Sequence, residues 1–394
     1  MSEKNLDFDK IIDRKNTGSL KYDYARQRGK AEDLLPLWVA DMDFKTSSYI
    51  EDAVKERVEQ GIYGYSEPLE GYFESLKDWL YKKHKLEIYD KSVVLSPGVV
   101  FSMAVAVKAF AKEGEGVIIQ SPVYPEFRSV VEDNNRKLVV NSLIIDDNFR
   151  YQIDFDDFEK KIIENDVKLY LLCNPHNPGG RSWTKEELKK LGDICNKHGV
   201  LVLSDEIHAD IYFNGRHTSY LSLGDEYRQN AILCTAPTKV FNMPGFQISN
   251  AIIENTKIRA RFKKEFEKTG YSQLNTIGIV ASEAAYRYGD EWHQANLEYI
   301  KGNIDFATEY IERNIPRLRV MRQDATYLLW VDFNGLGLSS REQKVLIEDK
   351  AKLWLNEGKS FGPEAEGFWR INLACPRSII EKALKQLEEN IKDF

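Results

Sequence analysis

Four short polar segments of this chain each follow an apolar run, and their residue types add up to one kind of chemistry. Asn174–Gly180 (NPHNPGG) follows KLYLLC, and Asp205–Asp210 (DEIHAD) follows GVLVLS. Residues 235–242 (TAPTKVFN) follow AILC, and residues 97–100 (PGVV) follow SVVLS. In an open α/β sheet the ligand binds beyond the carboxyl ends of the strands, so these segments sit where chemistry is expected. Each has an ordinary reading when taken alone. HNPGG is a good turn, Asp205 a helix N-cap, Lys239 a solvated lysine and Pro97-Gly98 the start of a helix. Together, in this order and all at strand ends, they supply an amine, an acid, a phosphate cradle and a hydrogen-bonding amide, which is the set one cofactor demands.

The elements that must position them are legible as alternating apolar runs and helical stretches. The runs are residues 92–96, 116–120, 137–143, 168–173, 199–204, 231–234 and 249–254. Their continuous apolarity, without strict alternation, predicts strands buried on both faces in a mostly parallel seven-stranded sheet covered by helices. The fold class is therefore α/β. Thr184 and Glu187 form a capping box, with Leu188, Leu191 and Cys195 behind it on one helix face. The apolar stretch Val99–Ala111 predicts a buried helix; it contains Lys108 and falls short of the roughly 20 apolar residues that span a bilayer. From about Asp290 a long amphipathic helix is expected, with Leu297, Ile300, Ile304, Ala307 and Ile311 on one face. A strand over residues 326–333 and a final helix capped by Ser378 and Glu381 complete a smaller α+β unit. The expected division is a large domain over residues 49–287 and a small one formed by residues 1–48 and 288–394.

Composition narrows the partners. The 394 residues carry a net charge of −7, which argues against nucleic acid or an anionic membrane surface, since both attract a surplus of Lys and Arg. Small molecules are the expected partners. The polar start MSEKNLDFDK has no apolar core for a signal peptide, and the four scattered cysteines form no C-x-x-C pair, so a cytoplasmic protein without disulfide or metal framework is expected.

The order Tyr124, HNPGG, Asp205 and Lys239 resembles that of the fold-type I pyridoxal 5′-phosphate (PLP) enzymes of the class I/II aminotransferase family, over most of the chain. The resemblance implies that Lys239 forms the Schiff base with PLP and that Asp205 faces the pyridine nitrogen, keeping the ring protonated as an electron sink. It further implies that Asn177 donates to the phenolic oxygen and that Tyr124 stacks on the ring, although a tyrosine before a proline is also ordinary packing. Lys239, Asp205 and Tyr124 are the expected catalytic residues. Gly98, Val99 and Val100 open the buried helix, where free N–H groups and the helix dipole suit a phosphate, and Thr238 is expected to help. Gln247 and Ala236 stand where aminotransferases of this family carry an Arg and a Ser for the phosphate.

Longer strings, LPLWVADMDF (residues 35–44), YGYS (63–66), SDEIHAD, TKVFNMPG and WRINLACPRS (369–378), are similar to the cystathionine β-lyase, or C–S lyase, group of the MalY/PatB type. That similarity implies a carbon–sulfur β-lyase acting on L-cystathionine or related sulfur amino acids. Arg370 would grip the substrate α-carboxylate, a structural ion pair being the alternative, and Val39 and Ala40 would lie over the substrate. Tyr65, or more weakly Tyr63, would reach the phosphate of a neighbouring subunit, so a homodimer with shared active sites is expected. His208 would orient Asp205, or else be a satisfied core histidine. An aminotransferase is the rival reading within the same fold, and a regulatory binding protein the rival of another class.

Overall fold

The computed structural model describes residues 6–392. In chain order its strands are β1 (Leu35–Pro36), β2 (Val93–Ser96), β3 (Gly116–Ser121), β4 (Lys137–Ser142), β5 (Ile144–Ile145), β6 (Tyr151–Gln152), β7 (Val167–Cys173), β8 (Leu201–Asp205), β9 (Ala231–Thr235), β10 (Ser249–Ile252), β11 (Arg319–Val320), β12 (Leu328–Asp332), β13 (Leu353–Trp354), β14 (Asn356–Glu357) and β15 (Phe368–Asn372). The large sheet has seven strands in the order β2-β10-β9-β8-β7-β3-β4. Only β10 runs antiparallel to its neighbours, and the pairs from β9 through β4 are parallel.

Side chains alternate across these strands, yet both faces are covered. Ile118, Tyr170, Val202 and Leu233 join one apolar core, while Val117, Leu169, Leu203 and Ile232 join another on the opposite side. That is why the runs read as continuous apolar sequence rather than as alternation. Truncating Leu171 or Leu203, both essentially buried, to Ala costs about 2–5 kcal/mol by this packing. The helix Lys185–His198 carries the full Thr184/Glu187 capping box and closes on Gly199 in the left-handed conformation (φ 67°). The following strand therefore starts at Leu201 and not at Gly199, because the glycine is consumed by the helix end.

A second, four-stranded antiparallel sheet in the order β11-β12-β15-β14 packs with the long helix Asp290–Asn314 and the last helix Arg377–Ile391. The N-terminal segment is stitched to this layer: β1 pairs in parallel with β13, and Phe8 meets Phe44, Trp292 and Tyr299 edge-on or tilted. The last helix departs from expectation. It starts at Arg377 after Pro376 with no side-chain cap, so Ser378 lies inside the first turn, and the Tyr299 hydroxyl takes the Arg377 N–H instead. A tertiary partner has replaced the local cap.

Candidate active site

Strands β9, β8, β7 and β3 are consecutive neighbours in the sheet, and Asp205 stands in register with Cys173 on one side and Cys234 on the other. Their carboxyl ends therefore deliver Lys239, Asp205, Asn177 and Tyr124 to one edge. These four, with Gly98, Val99, Val100, His208, Thr238, Val39, Ala40 and Arg370, line a single cavity of about 430 Å³.

Burial sets the chemistry of its charged groups. Lys239 is enclosed, and burial, reinforced by the Arg370 charge, lowers its amine to about 8; its Nζ donates to the Ala40 carbonyl at 2.8 Å. Burial raises the Asp205 carboxyl to about 7, and its Oδ1 accepts the Ile207 N–H at 3.0 Å. The Tyr124 hydroxyl is shifted upward, chiefly by burial. His208 is held neutral, lowered to about 3 by burial and by the Lys239 and Arg370 charges. It makes no hydrogen bond to Asp205 among the described residues. The expectation that it orients that carboxylate fails, because the backbone of Ile207 does so; the ring packs edge-on to Tyr327 and its Nδ1 is unpartnered.

Arg370 is 4 % exposed and every partner it has is neutral. Nη1 donates to Asn177 Oδ1 at 3.0 Å, and Nη2 to the Trp38 carbonyl at 3.1 Å and to Asn356 Oδ1 at 2.7 Å. The guanidinium lies over the Phe361 ring, burial lowers its pKa to about 10, and Nε has no partner. A buried cation held only by dipoles retains the capacity to pair with an incoming carboxylate. Among the described residues the alternative of a structural ion pair is thereby removed.

Several contributors were not singled out in the sequence. Asn356 holds Arg370; Trp38 and Glu126 line the cavity. Asn242, in the left-handed region (φ 52°), clamps the 39–44 segment by bonding the Met42 N–H and the Met42 and Phe44 carbonyls. Its position in TKVFN was the available signal, since Asn tolerates that backbone. Gln247 does line the cavity, and Ala236 is buried outside it. Tyr65 stands apart. At 93 % exposure it is no part of its own chain's cavity, and Tyr63 is exposed as well.

The donor set fits pyridoxal phosphate: an amine poised near neutrality for its aldehyde, a buried carboxyl for its ring nitrogen, and the Asn177 amide nitrogen left over for its phenolic oxygen. For the phosphate there is the N-terminus of helix Val99–Phe110, which has no side-chain cap, and open space at Gly98 where a Cβ would stand. The family pattern described as aminotransferase class I and II matches residues 33–387.

The chain belongs to that family.

Among curated relatives it is 39% identical over 384 residues to the cystathionine β-lyase PatB of Bacillus subtilis (strain 168), covering 97% of this chain and 99% of PatB. Among solved structures, a PLP-bound putative aminotransferase from Clostridium difficile 630 superimposes with a TM-score of 0.96 at 44% identity, over 98% of this chain and 100% of the other. A PLP-bound C–S lyase from Staphylococcus hominis does so with a TM-score of 0.91 at 31% identity, over 98% of each. The seven-stranded sheet with a smaller antiparallel layer in this chain is thus fold-type I architecture.

Proposed function

We propose that this chain is a PLP-dependent carbon–sulfur β-lyase that cleaves L-cystathionine or a related sulfur amino acid by α,β-elimination, giving a thiol and an enamine that one water hydrolyses to pyruvate and ammonia. The observation that carries the reading is the cavity in which Arg370, without a carboxylate of its own, faces the same space as Lys239 and Asp205. The full-length similarity to a cystathionine β-lyase supports elimination over transamination. PLP, when bound, supplies the electron sink that makes a Cα–H acidic.

The protein residues then have separable tasks. Lys239 would hold the cofactor, and its Nζ, when neutral and free, would take the Cα proton of the substrate; burial gives it the pKa for that work near neutral pH. Asp205 would keep the ring nitrogen protonated, since a cation placed against it would reverse the effect of burial by stabilising the carboxylate. Arg370 fixes the α-carboxylate and so aligns the Cα–H, while the Cβ–S bond breaks as the thiolate leaves. Tyr124 would pack on the ring, Asn177 would donate to its phenolic oxygen, and Gly98, Val99, Val100 and Thr238 would receive the phosphate. Val39 and Ala40 exclude water above the substrate. The same groups also serve a transaminase, so the products decide. Release of pyruvate and thiol from L-cystathionine with no keto acid present supports the lyase, and strict dependence on a keto-acid acceptor overturns it.

The unit we propose is a homodimer with shared sites, in which the small domain is residues 1–48 and 288–394, of which 1–5 and 393–394 lie outside the described residues, and the large one is 49–287. Tyr65 is exposed and lies outside its own cavity, as a residue serving a second copy should. Tyr65→Phe is expected to weaken PLP retention about 2- to 10-fold, the worth of one hydrogen bond, and a monomer in sedimentation overturns the shared site. Among the described residues no helix is long and apolar enough to cross a membrane. All four cysteines are buried free thiols, which suits a reducing cytoplasmic setting.

A further inference from the structure

Apart from Asp205, assigned above to the ring nitrogen, the cavity wall contains one carboxylate, that of Glu126. It stands two residues beyond Tyr124 in the first turn of the helix Glu126–Glu132 and is half-buried. Its Oε2 accepts the Ser129 hydroxyl at 2.9 Å, which fixes the rotamer, and Oε1 has no hydrogen-bond partner among the described residues. The Tyr124 hydroxyl feels Glu126, Arg370 and Asp205 together, so the carboxylate belongs to the same electrostatic space as the reacting end. A negative charge is favourable in the first turn of any helix, but that favours no particular orientation and does not require a place in the cavity wall.

Once the α-carboxylate is on Arg370 and the α-amine is at the Lys239 end, the remaining wall must receive the group carried on sulfur. Phe127, Trp38 and Leu20 offer it apolar surface, and Glu126 offers it a fixed negative charge. Resting on the lyase reading above, we propose that Glu126 forms a subsite for the distal ammonium of the substrate, so that the enzyme prefers cysteine thioethers whose leaving thiol carries an amine over those whose leaving thiol is neutral.

The test uses purified holoenzyme and two thioethers of equal length, S-(2-aminoethyl)-L-cysteine and S-propyl-L-cysteine, with L-cystathionine as a third substrate. Glu126→Gln is expected to lower kcat/KM for the aminoethyl compound and for L-cystathionine about 5- to 10-fold, mainly through KM. That is the range for a partly exposed charge-assisted contact. The propyl compound should change by less than about twofold, because it makes no such contact. Equal losses on both compounds would reduce Glu126 to a structural part of its helix, and no loss on the aminoethyl compound would remove it from the site; either result overturns the proposal. Spectral titration of the bound cofactor with the same two compounds reads their affinities even where no pyruvate forms. Absence of pyruvate from every thioether with the wild-type enzyme therefore sinks the lyase reading, while the affinity ratio still decides the subsite.

Discussion

The cavity has two sides built in different ways. Its floor is the row of strand ends, where Asp205 closes a buried strand and Asn177 and Lys239 each follow one at short sequence distance. Its roof is the segment Trp38–Ala40 together with Asn356 and Arg370, brought together from opposite ends of the chain. Asn372 Nδ2 bonds the carbonyls of Val39 and Asp41 at 2.5 and 2.6 Å, Arg370 bonds that of Trp38, and the Tyr327 hydroxyl and Lys239 both donate to that of Ala40. The floor carries groups whose protonation is tuned by burial, and the roof carries groups that recognise and cover. Chemistry and recognition are therefore expected to fail separately.

The largest effect belongs to the floor. Lys239→Ala is expected to lower kcat by at least about 10³-fold, the scale of a lost general base, and borohydride should no longer trap the cofactor on the chain. A reduced, labelled peptide containing another lysine would break the assignment. The same group sets a pH dependence. The amine, lowered to about 8, is neutral above that value and protonated below it. Capture of PLP by apoprotein should therefore accelerate by about tenfold per unit as pH rises toward 8 and level off beyond it; a rate that is flat between pH 6 and 9 contradicts the lowered pKa.

Asp205→Asn should retain PLP but lose about 10²- to 10³-fold in kcat with little change in KM, since the interaction matters most as charge enters the ring. Near-normal turnover would take Asp205 out of the mechanism. Arg370→Ala, a roof change, should give the opposite pattern, with KM raised about 10- to 150-fold and PLP content unaltered. If kcat fell and KM held, floor and roof would not be separable in this way. The smallest effect is expected from Asn372→Ala, which removes the donor from the part-buried carbonyls of Val39 and Asp41 and should cost about 1 kcal/mol in chemical denaturation, with a modest rise in KM. No change in stability would show that the roof is held by other contacts.

The floor was legible in the sequence because its logic is local. An apolar run buried on both faces predicts a strand, and the polar residue just past it must lie at the sheet's carboxyl edge, so Asp205 and Lys239 were identifiable by position. The departures were local cues overruled by tertiary partners. Ser378 and Glu381 look like a capping box, but Tyr299 satisfies that helix end, and His208, three residues from Asp205, turns to Tyr327 instead.

By itself, then, the sequence determined the α/β class, the strands, and the order of amine, acid and amide along them, because hydrophobic periodicity and strand-end position are properties of short segments. Only the tertiary structure decided that Arg370 lacks an acidic partner, that Asn356 and Asn242 hold the site together, that Glu126 lies in its wall, and that Tyr65 faces outward. Those facts depend on contacts between residues as far as 332 positions apart, whose pairing is set by how the layers pack, and no local pattern encodes it.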